Sequence, residues 1–442
     1  MSIRSLILGS LLLLAPGVAL EGREMSPAPA DPCLPGVQPE SVTLSEVLQR
    51  AQALEPGLAV GERLVAAAEG EASAVRRERV PTLALEGMAN WGQRVSPGEE
   101  RALGVGERAE LRALLEFGLL ESGRQARLVA ADRRVAEARA DSASLAAGFE
   151  MEVAAAFVQS ALALEFEATL EAHRAALAAL EGPVRMRAEA GMVTAGDLAR
   201  FEDEVVRSER GLVEAREVRA GADAVLRALA GSCVSARPLA PATRGVEVTA
   251  EGHPEVRRLR EAAGSREAAA RAIARQDRLS LGLVGSAGPT RSRAHDPGPV
   301  EQEYLLGITG QWRIDPGGVR SRLAQAERSR SSALVFQAEQ LRREQERAIE
   351  RTRLALDGAE ARALLHEQEE AQAVESRRVA ALRWEEGVGS WSELFQAEDR
   401  LRDARSATIE ARAAVALAWL ALARASGQAG ELPAWLGSEA DR

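Results

Sequence analysis

The chain has 442 residues, 46% of them hydrophobic and 28% charged, with a formal net charge of -10, and every basic residue is an arginine. The acidic balance gives no reason to expect nucleic acid, which wants a basic patch, and a P-loop needs the lysine that is missing here.

Arg4, the apolar run 6–14 and the small residues 17–19 make the three parts of a secretory signal peptide, with cleavage expected near Ala19. The run is too short to cross about 30 Å of hydrocarbon. Beyond it no stretch of 18 apolar residues occurs, so any membrane span would have to use strands. Residues 20–42, rich in proline, read as an extended leader. Thr43, with Glu46 three positions on, then opens a helix by a capping box, and this helix should run to about Arg79 with a blemish at Pro56-Gly57.

From Pro81 the hydrophobic period changes from 3.6 to 2. Leu83, Leu85, Gly87, Ala89 and Trp91 share one face of a strand over about 81–94, and Thr82, Ala84, Glu86, Met88 and Asn90 share the other. After a turn around 95–98, a strand over about 104–117 sets Leu111, Ala113, Leu115 and Phe117 against Arg108, Glu110, Arg112 and Glu116. A long helical hairpin follows over about 121–230. In its first arm Val135, Ala138, Ser142, Leu145, Phe149, Val153, Ala156 and Ser160 step by three and four. Gly182-Pro183 and the turn Gly191-Met192-Val193-Thr194 should interrupt it. The first repeat is thus 43–231, followed by a linker over 232–250.

The second repeat, 251–427, has the same order. Its strands span about 279–287 and 303–313, carrying Leu279, Leu281, Leu283 and Leu306, Ile308, Trp312, with a Gly/Pro-rich loop over 285–299 between them. The hairpin over about 319–427 contains no proline. In its first arm Leu334, Ala338, Leu341, Gln345, Ile349, Thr352, Leu356, Ala359 and Ala363 keep to one stripe. Such an arm is roughly 100 Å long at 1.5 Å per residue. Its tip is Glu386-Gly387-Val388-Gly389-Ser390, where two glycines stop one helix and Ser390 with Glu393 restarts the next. Residues 428–442 form a C-terminal tail.

The two halves are copies. Residues 189–231 lie over 385–427 without a gap, matching Glu189 with Glu385, Gly191 with Gly387, Leu198 with Leu394, Glu202 with Glu398 and Gly231 with Gly427. A period this long is one architectural half per repeat, unlike the 20 to 50 residues of a solenoid. Two strand pairs cannot close a barrel alone, yet a sheet with one apolar face is tolerated in lipid only when its edges are closed. Several chains must therefore contribute strands, and strands of roughly ten residues with alternating faces are the signature of an outer-membrane barrel. The fold class expected is mainly α with a transmembrane β-barrel contribution.

The order helix, two strands, long helix, tip, return helix, repeated behind a signal peptide, resembles the TolC-type outer-membrane efflux protein family. The residues carrying the resemblance are Leu44-Ser45-Glu46-Val47-Leu48, Pro81-Thr82-Leu83, Leu279-Ser280-Leu281, Gly317-Gly318-Val319-Arg320 and the second tip with Glu393-Leu394. The resemblance implies a homotrimer whose four strands per chain close a twelve-stranded barrel in outer-membrane lipid, above a helical tunnel in the periplasm. It implies an exit duct of a tripartite efflux or type I secretion system. The tips Gly191, Met192, Val193, Thr194, Gly387, Val388, Gly389 and Ser390 would then meet a periplasmic adaptor and, through it, an inner-membrane pump. Asp197, Arg200, Glu393 and Gln396 would line the periplasmic aperture, with Arg200 and Gln396 standing where an acidic ring would carry further charge. The alternative is a periplasmic structural coiled coil or adaptor without a channel. An adaptor normally has one hairpin between β-rich domains, and a rod needs no period-2 segments at matched places in both halves.

The only two cysteines, Cys33 and Cys233, each precede a repeat half and should reach the same belt of the tunnel. In an exported protein a bond between them can persist; the alternatives are two free thiols or pairing to another chain. No cofactor, metal site or catalytic residue is expected. His173, His253, His295 and His366 lie far apart without metal-ligand spacing, and His366-Glu367 lacks the second histidine of a zinc-protease helix.

Overall fold

The computed structural model describes residues 33, 39–78, 80–94, 103–238, 248–276, 279–293, 301–312, 314 and 316–435. The expected signal peptide, most of the leader, the strand-pair loops at 95–102 and 294–300 and the tail beyond 435 lie outside these residues. The elements are β1 (Glu40–Val42), α1 (Leu44–Leu54), α2 (Pro56–Arg77), β2 (Thr82–Arg94), β3 (Leu103–Glu121), α3 (Arg124–Glu189), α4 (Ala195–Ala230), β4 (Val234–Ala236), α5 (Pro254–Arg275), β5 (Leu279–Arg293), β6 (Glu301–Trp312), α6 (Val319–Glu385), α7 (Trp391–Ser426), a 3-10 turn (Ala429–Glu431) and α8 (Leu432–Trp435).

Thr43 and Glu46 do form a reciprocal capping box at the start of α1. The expected single helix to Arg79 is corrected to two: Glu55 ends α1 in an extended conformation and caps α2, its carboxylate accepting from the Gly57 amide. Pro56 takes the first position of α2, where its missing N–H would be unpaired anyway.

α3 and α6 have 66 and 67 residues, about 100 Å each at 1.5 Å per residue. All nine residues of the α6 stripe, Leu334 to Ala363, are buried or half-buried, while Phe336 between them is 74% exposed. The interruption expected at Gly182-Pro183 is absent: α3 continues through Pro183. A proline inside a helix costs about 3 kcal/mol. Here Leu177 and Val184 on either side of it are anchored in one buried cluster, which offsets that loss.

The helices make a single layer. Near the strands the packing order is α2, α3, α5, α6, and towards the tips it is α4, α3, α7, α6. The sheet follows the first of these orders: β2, β3, β5 and β6 form one antiparallel sheet, each strand continuing the helix beside it. β3 and β5 extend beyond the expected limits. β5 runs through Gly288-Pro289, where the ladder skips from Ala113–Ala287 to Glu110–Thr290. A Cβ at Gly288 would lie 1.9 Å from the Leu111 carbonyl oxygen, so only glycine permits the approach.

Register places Leu83, Leu115, Gly285 and Leu306 in one row across the sheet, and Phe117, Leu283 and Ile308 in another on the same face. Tyr304 and Trp312 sit on this face towards opposite ends of β6. Leu83, Leu306, Ile308, Tyr304 and Trp312 are all more than 70% exposed. The other face carries an ion-paired cluster in which Arg112 meets Glu110 and Glu303, each at 3.0 Å. β2 and β6 are the sheet's edges and have no further strand partner among the described residues.

Among the described residues two large cores hold the layer, with a small cluster of Ala72, Ala131 and Val135 between α2 and α3. The larger lies at the equator, where Val42, Leu44, Val47, Phe157, Val158, Leu226, Val234, Trp419, Leu420 and Leu432 pack together. Both segments expected to be plain linkers contribute strands there: β1 and β4 pair in parallel over three residues. The tail also contributes, through Leu432. The second core lies at the tips.

Candidate functional site

Both helical hairpins end in the same turn chemistry. α3 stops at Ala190 and α6 at Glu386, and the next residue, Gly191 or Gly387, turns left-handed with φ of 71° or 78°. Residues with a Cβ rarely adopt that conformation. Thr194 and Ser390 then cap α4 and α7, their hydroxyls accepting from the amides of Asp197 (3.1 Å) and Glu393 (3.2 Å). Only half of the capping box expected at Ser390 forms, because the Glu393 side chain turns towards Arg383, 3.8 Å away.

The two tips come together in one cluster of Leu177, Val184, Val193, Phe201, Trp384, Trp391 and Leu394. Trp391 is its centre, edge-on to Phe201 at 5.3 Å and to Trp384 at 5.8 Å. Arg187 stacks its guanidinium 3.7 Å from the Trp384 ring centroid, an attraction of the cation for the ring face. Of the expected tip residues, Met192 and Val388 point outward and are exposed, whereas Val193 is buried in the cluster and offers nothing to a partner. Gly191, Gly387 and Gly389 serve the turns, and Thr194 and Ser390 serve as caps.

The expected aperture residues split by hairpin. Asp197 accepts from the Thr194 hydroxyl at 2.6 Å and has Arg200 at 4.0 Å. Glu393 has Arg383 nearby, and Gln396 bonds back to Ser392 at 3.4 Å. Each acid of this pair therefore sits beside an arginine of its own hairpin.

Behind the tips lies a buried ionic cluster that sequence spacing does not reveal. Glu204 of α4, 1% exposed, is bridged by Arg402 of α7 on Oε1 and by Arg207 on Oε2 (2.8 Å). Burial raises the Glu204 pKa, but His173, Arg402 and Arg207 outweigh it and hold the carboxyl below its usual range. Asp399 goes the other way: burial pushes it up, against the opposing charge of Arg402. Arg377 of α6 holds the buried Glu398 at 2.6 Å. The aromatic signal at the tips was available in the sequence, since aromatics are 3% of the chain and Trp384, Trp391 and Phe395 flank one turn.

At the equator Cys33 and Cys233 are joined by a disulfide, their Cα atoms 4.8 Å apart. Beside it the Glu40 amide donates to the Cys233 carbonyl at 3.0 Å. Arg50 grips the Glu40 carboxylate with two bonds of 2.9 Å. Together these fasten the start of the chain to the junction between the halves.

No protein-family model matches the sequence, and no curated protein matches it significantly. Solved structures do match in shape. The outer membrane protein VceC of Vibrio cholerae superposes with a TM-score of 0.70 at 18% identity, over 87% of this chain and 96% of that one. The CmeC outer membrane channel of Campylobacter jejuni gives 0.70 at 12% identity, over 96% and 95%. The MtrE outer membrane channel of Neisseria gonorrhoeae gives 0.67 at 17%, over 92% and 95%. This chain has the fold of these outer-membrane channel proteins, the fold that its resemblance to the TolC-type family implies.

Proposed function

We propose that the protein is the outer-membrane exit duct of a tripartite efflux or type I secretion system, passing solutes from a periplasm-spanning complex to the exterior. The observation that carries this reading is the sheet: one face broadly apolar and exposed, the other bearing Arg112, Glu110 and Glu303, and two edges with no further strand among the described residues, at one end of helices about 100 Å long. A contiguous exposed apolar face marks a surface made for lipid or a partner. Unpaired edges in lipid must be closed, so a homotrimer closing twelve strands around the Arg112 face satisfies both demands. α3 and α7 are also long and apolar enough to cross a membrane by length and composition. Their bulky apolar residues Phe157, Val158, Trp419 and Leu420, however, are buried at the equator.

In this reading the helices extend into the periplasm of a Gram-negative-type cell after residues 1–19 are removed. Met192 and Val388 meet the periplasmic adaptor, and an inner-membrane pump acts through it. Asp197 and Glu393 line the aperture with Arg200 and Gln396, and their neighbouring arginines weaken selection for cations. The protein acts as a conduit and carries out no chemistry. The test is the conductance of purified protein in planar bilayers together with its mass in detergent. Discrete channels from a trimer are expected; a soluble monomer without conductance would replace the duct with a helical rod.

A further inference from the structure

His173 of α3, Glu204 of α4 and Asp399 of α7 bring an imidazole nitrogen and two carboxylate oxygens within 4.8 Å of one another, and among the described residues no other such trio occurs. His173 is 5% exposed. Its Nε2 points at Glu204 Oε1 from 3.5 Å and has no hydrogen-bond partner. Asp399 Oδ1 also lacks a hydrogen bond and lies 3.2 Å from its ion-pair partner Arg402. Buried polar atoms without partners are rare and ask for an explanation.

We propose that His173, Glu204 and Asp399 bind a divalent transition-metal ion of the zinc class, which enters in exchange for one arm of Arg402 and clamps the two hairpins together behind the tips. The donor set selects the ion: imidazole with carboxylates suits zinc and its neighbours, whereas magnesium and calcium prefer oxygen alone. A tetrahedral zinc with bonds of about 2.0–2.1 Å holds its ligands about 3.4 Å apart, the spacing His173 and Glu204 already have. Rotation of the half-buried Asp399 side chain closes the rest.

Arg402 is built for the exchange. Its Nη1 lies against Glu204 and Asp399, while Nη2 and Nε hold Asp403 Oδ1 at 2.8 and 3.1 Å. Displacing Nη1 therefore leaves the guanidinium paired. Glu204 keeps Arg207 on its other oxygen. A cleft of about 370 Å3, lined by His173, Glu398, Arg377, Arg378, Arg402 and Arg405, opens beside the site. The site ties the first hairpin, through α3 and α4, to the second, through α7, whether or not the protein conducts.

The test uses untagged full-length protein, stripped with a chelator and titrated with zinc by calorimetry and with cobalt by visible absorption. One ion per chain is expected, with binding weakened about tenfold or more by His173→Ala and by Asp399→Asn. Asp399 is only half-buried, so its variant keeps the test informative if loss of His173 impairs folding. Arg402→Gln, which removes the competing cation, should bind zinc more tightly than the parent and melt higher with zinc than with magnesium. Absence of binding, stoichiometry and affinity unchanged in His173→Ala and Asp399→Asn, or no zinc-dependent rise in the melting of Arg402→Gln, would each overturn the site.

Discussion

Adjacent residues of β6 give the sharpest test of the membrane reading. Leu306 lies at the middle of the strand, in the row with Leu83, Leu115 and Gly285, and is 76% exposed. Gly307 lies on the opposite face, in the row with Val284 and Glu116, and a Cβ added there meets nothing within 4 Å. Arginine at position 306 would place a guanidinium near the bilayer midplane, a loss of about 2–4 kcal/mol per chain. In a trimer that becomes about 6–12 kcal/mol per assembly, if the three sites act independently. Arginine at position 307 would point to the face that carries Arg112, in the row of Glu116, with little loss of stability. The assay is the temperature at which the detergent-extracted oligomer dissociates on a gel, alongside conductance. Leu306→Arg should lower that temperature steeply or abolish assembly, and Gly307→Arg should assemble and shift ion selectivity towards anions. Equal effects at the two positions would show that neither face meets lipid and would remove the ground for a barrel.

Trp391→Ala empties the centre of the tip cluster and should destabilise it by about 3–5 kcal/mol. Hydrogen exchange should speed up around Phe201, Trp384 and Leu394 while the equatorial helices keep their protection; equal loosening at both places would refute two separate cores. Cys33→Ser opens a link between residues 200 positions apart, worth about 5 kcal/mol in the chain-entropy account. Faster proteolysis of the leader and a lower melting temperature are expected, and no change in either would make the bond incidental. His253 caps α5: its Nδ1 accepts from the Glu255 amide (3.2 Å) and its Nε2 donates to the Arg424 carbonyl (3.3 Å). Burial lowers its pKa below 6.5, so the cap's contribution is full above about pH 6.5 and is lost as pH falls through the lower folded value. Amide protection at Glu255 should drop in that acid window, and His253→Asn, which retains a capping oxygen, should flatten the dependence.

What was legible in the sequence followed from periodicity. The change from 3.6 to 2 at Pro81 finds the start of β2 because a pleat turns alternate side chains to opposite faces. The α6 stripe finds the buried face because no glycine pair or proline breaks its step. Local signals misled where tertiary packing overrode them: Pro183 reads as a breaker until Leu177 and Val184 are seen in the same cluster. β1 and β4 were invisible, since three residues carry no period and their pairing spans almost half of the chain. His173, Glu204 and Asp399 lie on three helices, and only the packing of α3 against both α4 and α7 brings them together. The capped glycine turns stood out by composition, yet composition could not tell that Val193 faces inward while Met192 faces out.

The two cores differ in the balance of apolar and ionic contacts they use. α6 buries only eight of its 67 residues, because a single layer has no second sheet of helices to cover it. Its exposed Val335, Phe336 and Leu354 lie on one margin of the layer, at and on the strand side of the equator, and the exposed Val206 and Val213 of α4 lie on the opposite margin of the tip half. Covering those margins with further copies is the natural way to complete the burial. Within one chain the equator is fixed by close-packed apolar side chains, by the Cys33–Cys233 bond and by a small buried polar group in which Ser160 and Ser235 donate to Asp223. The tips are held by aromatic rings and by arginines, of which Arg402 touches Glu204, Asp399 and Asp403 and Arg207 touches Asp203 and Glu204. Apolar packing is lost all at once when surfaces part, whereas a guanidinium among several carboxylates can pass from one to the next. In the duct proposed above, a middle that stays sealed and an end that opens would call for that distribution.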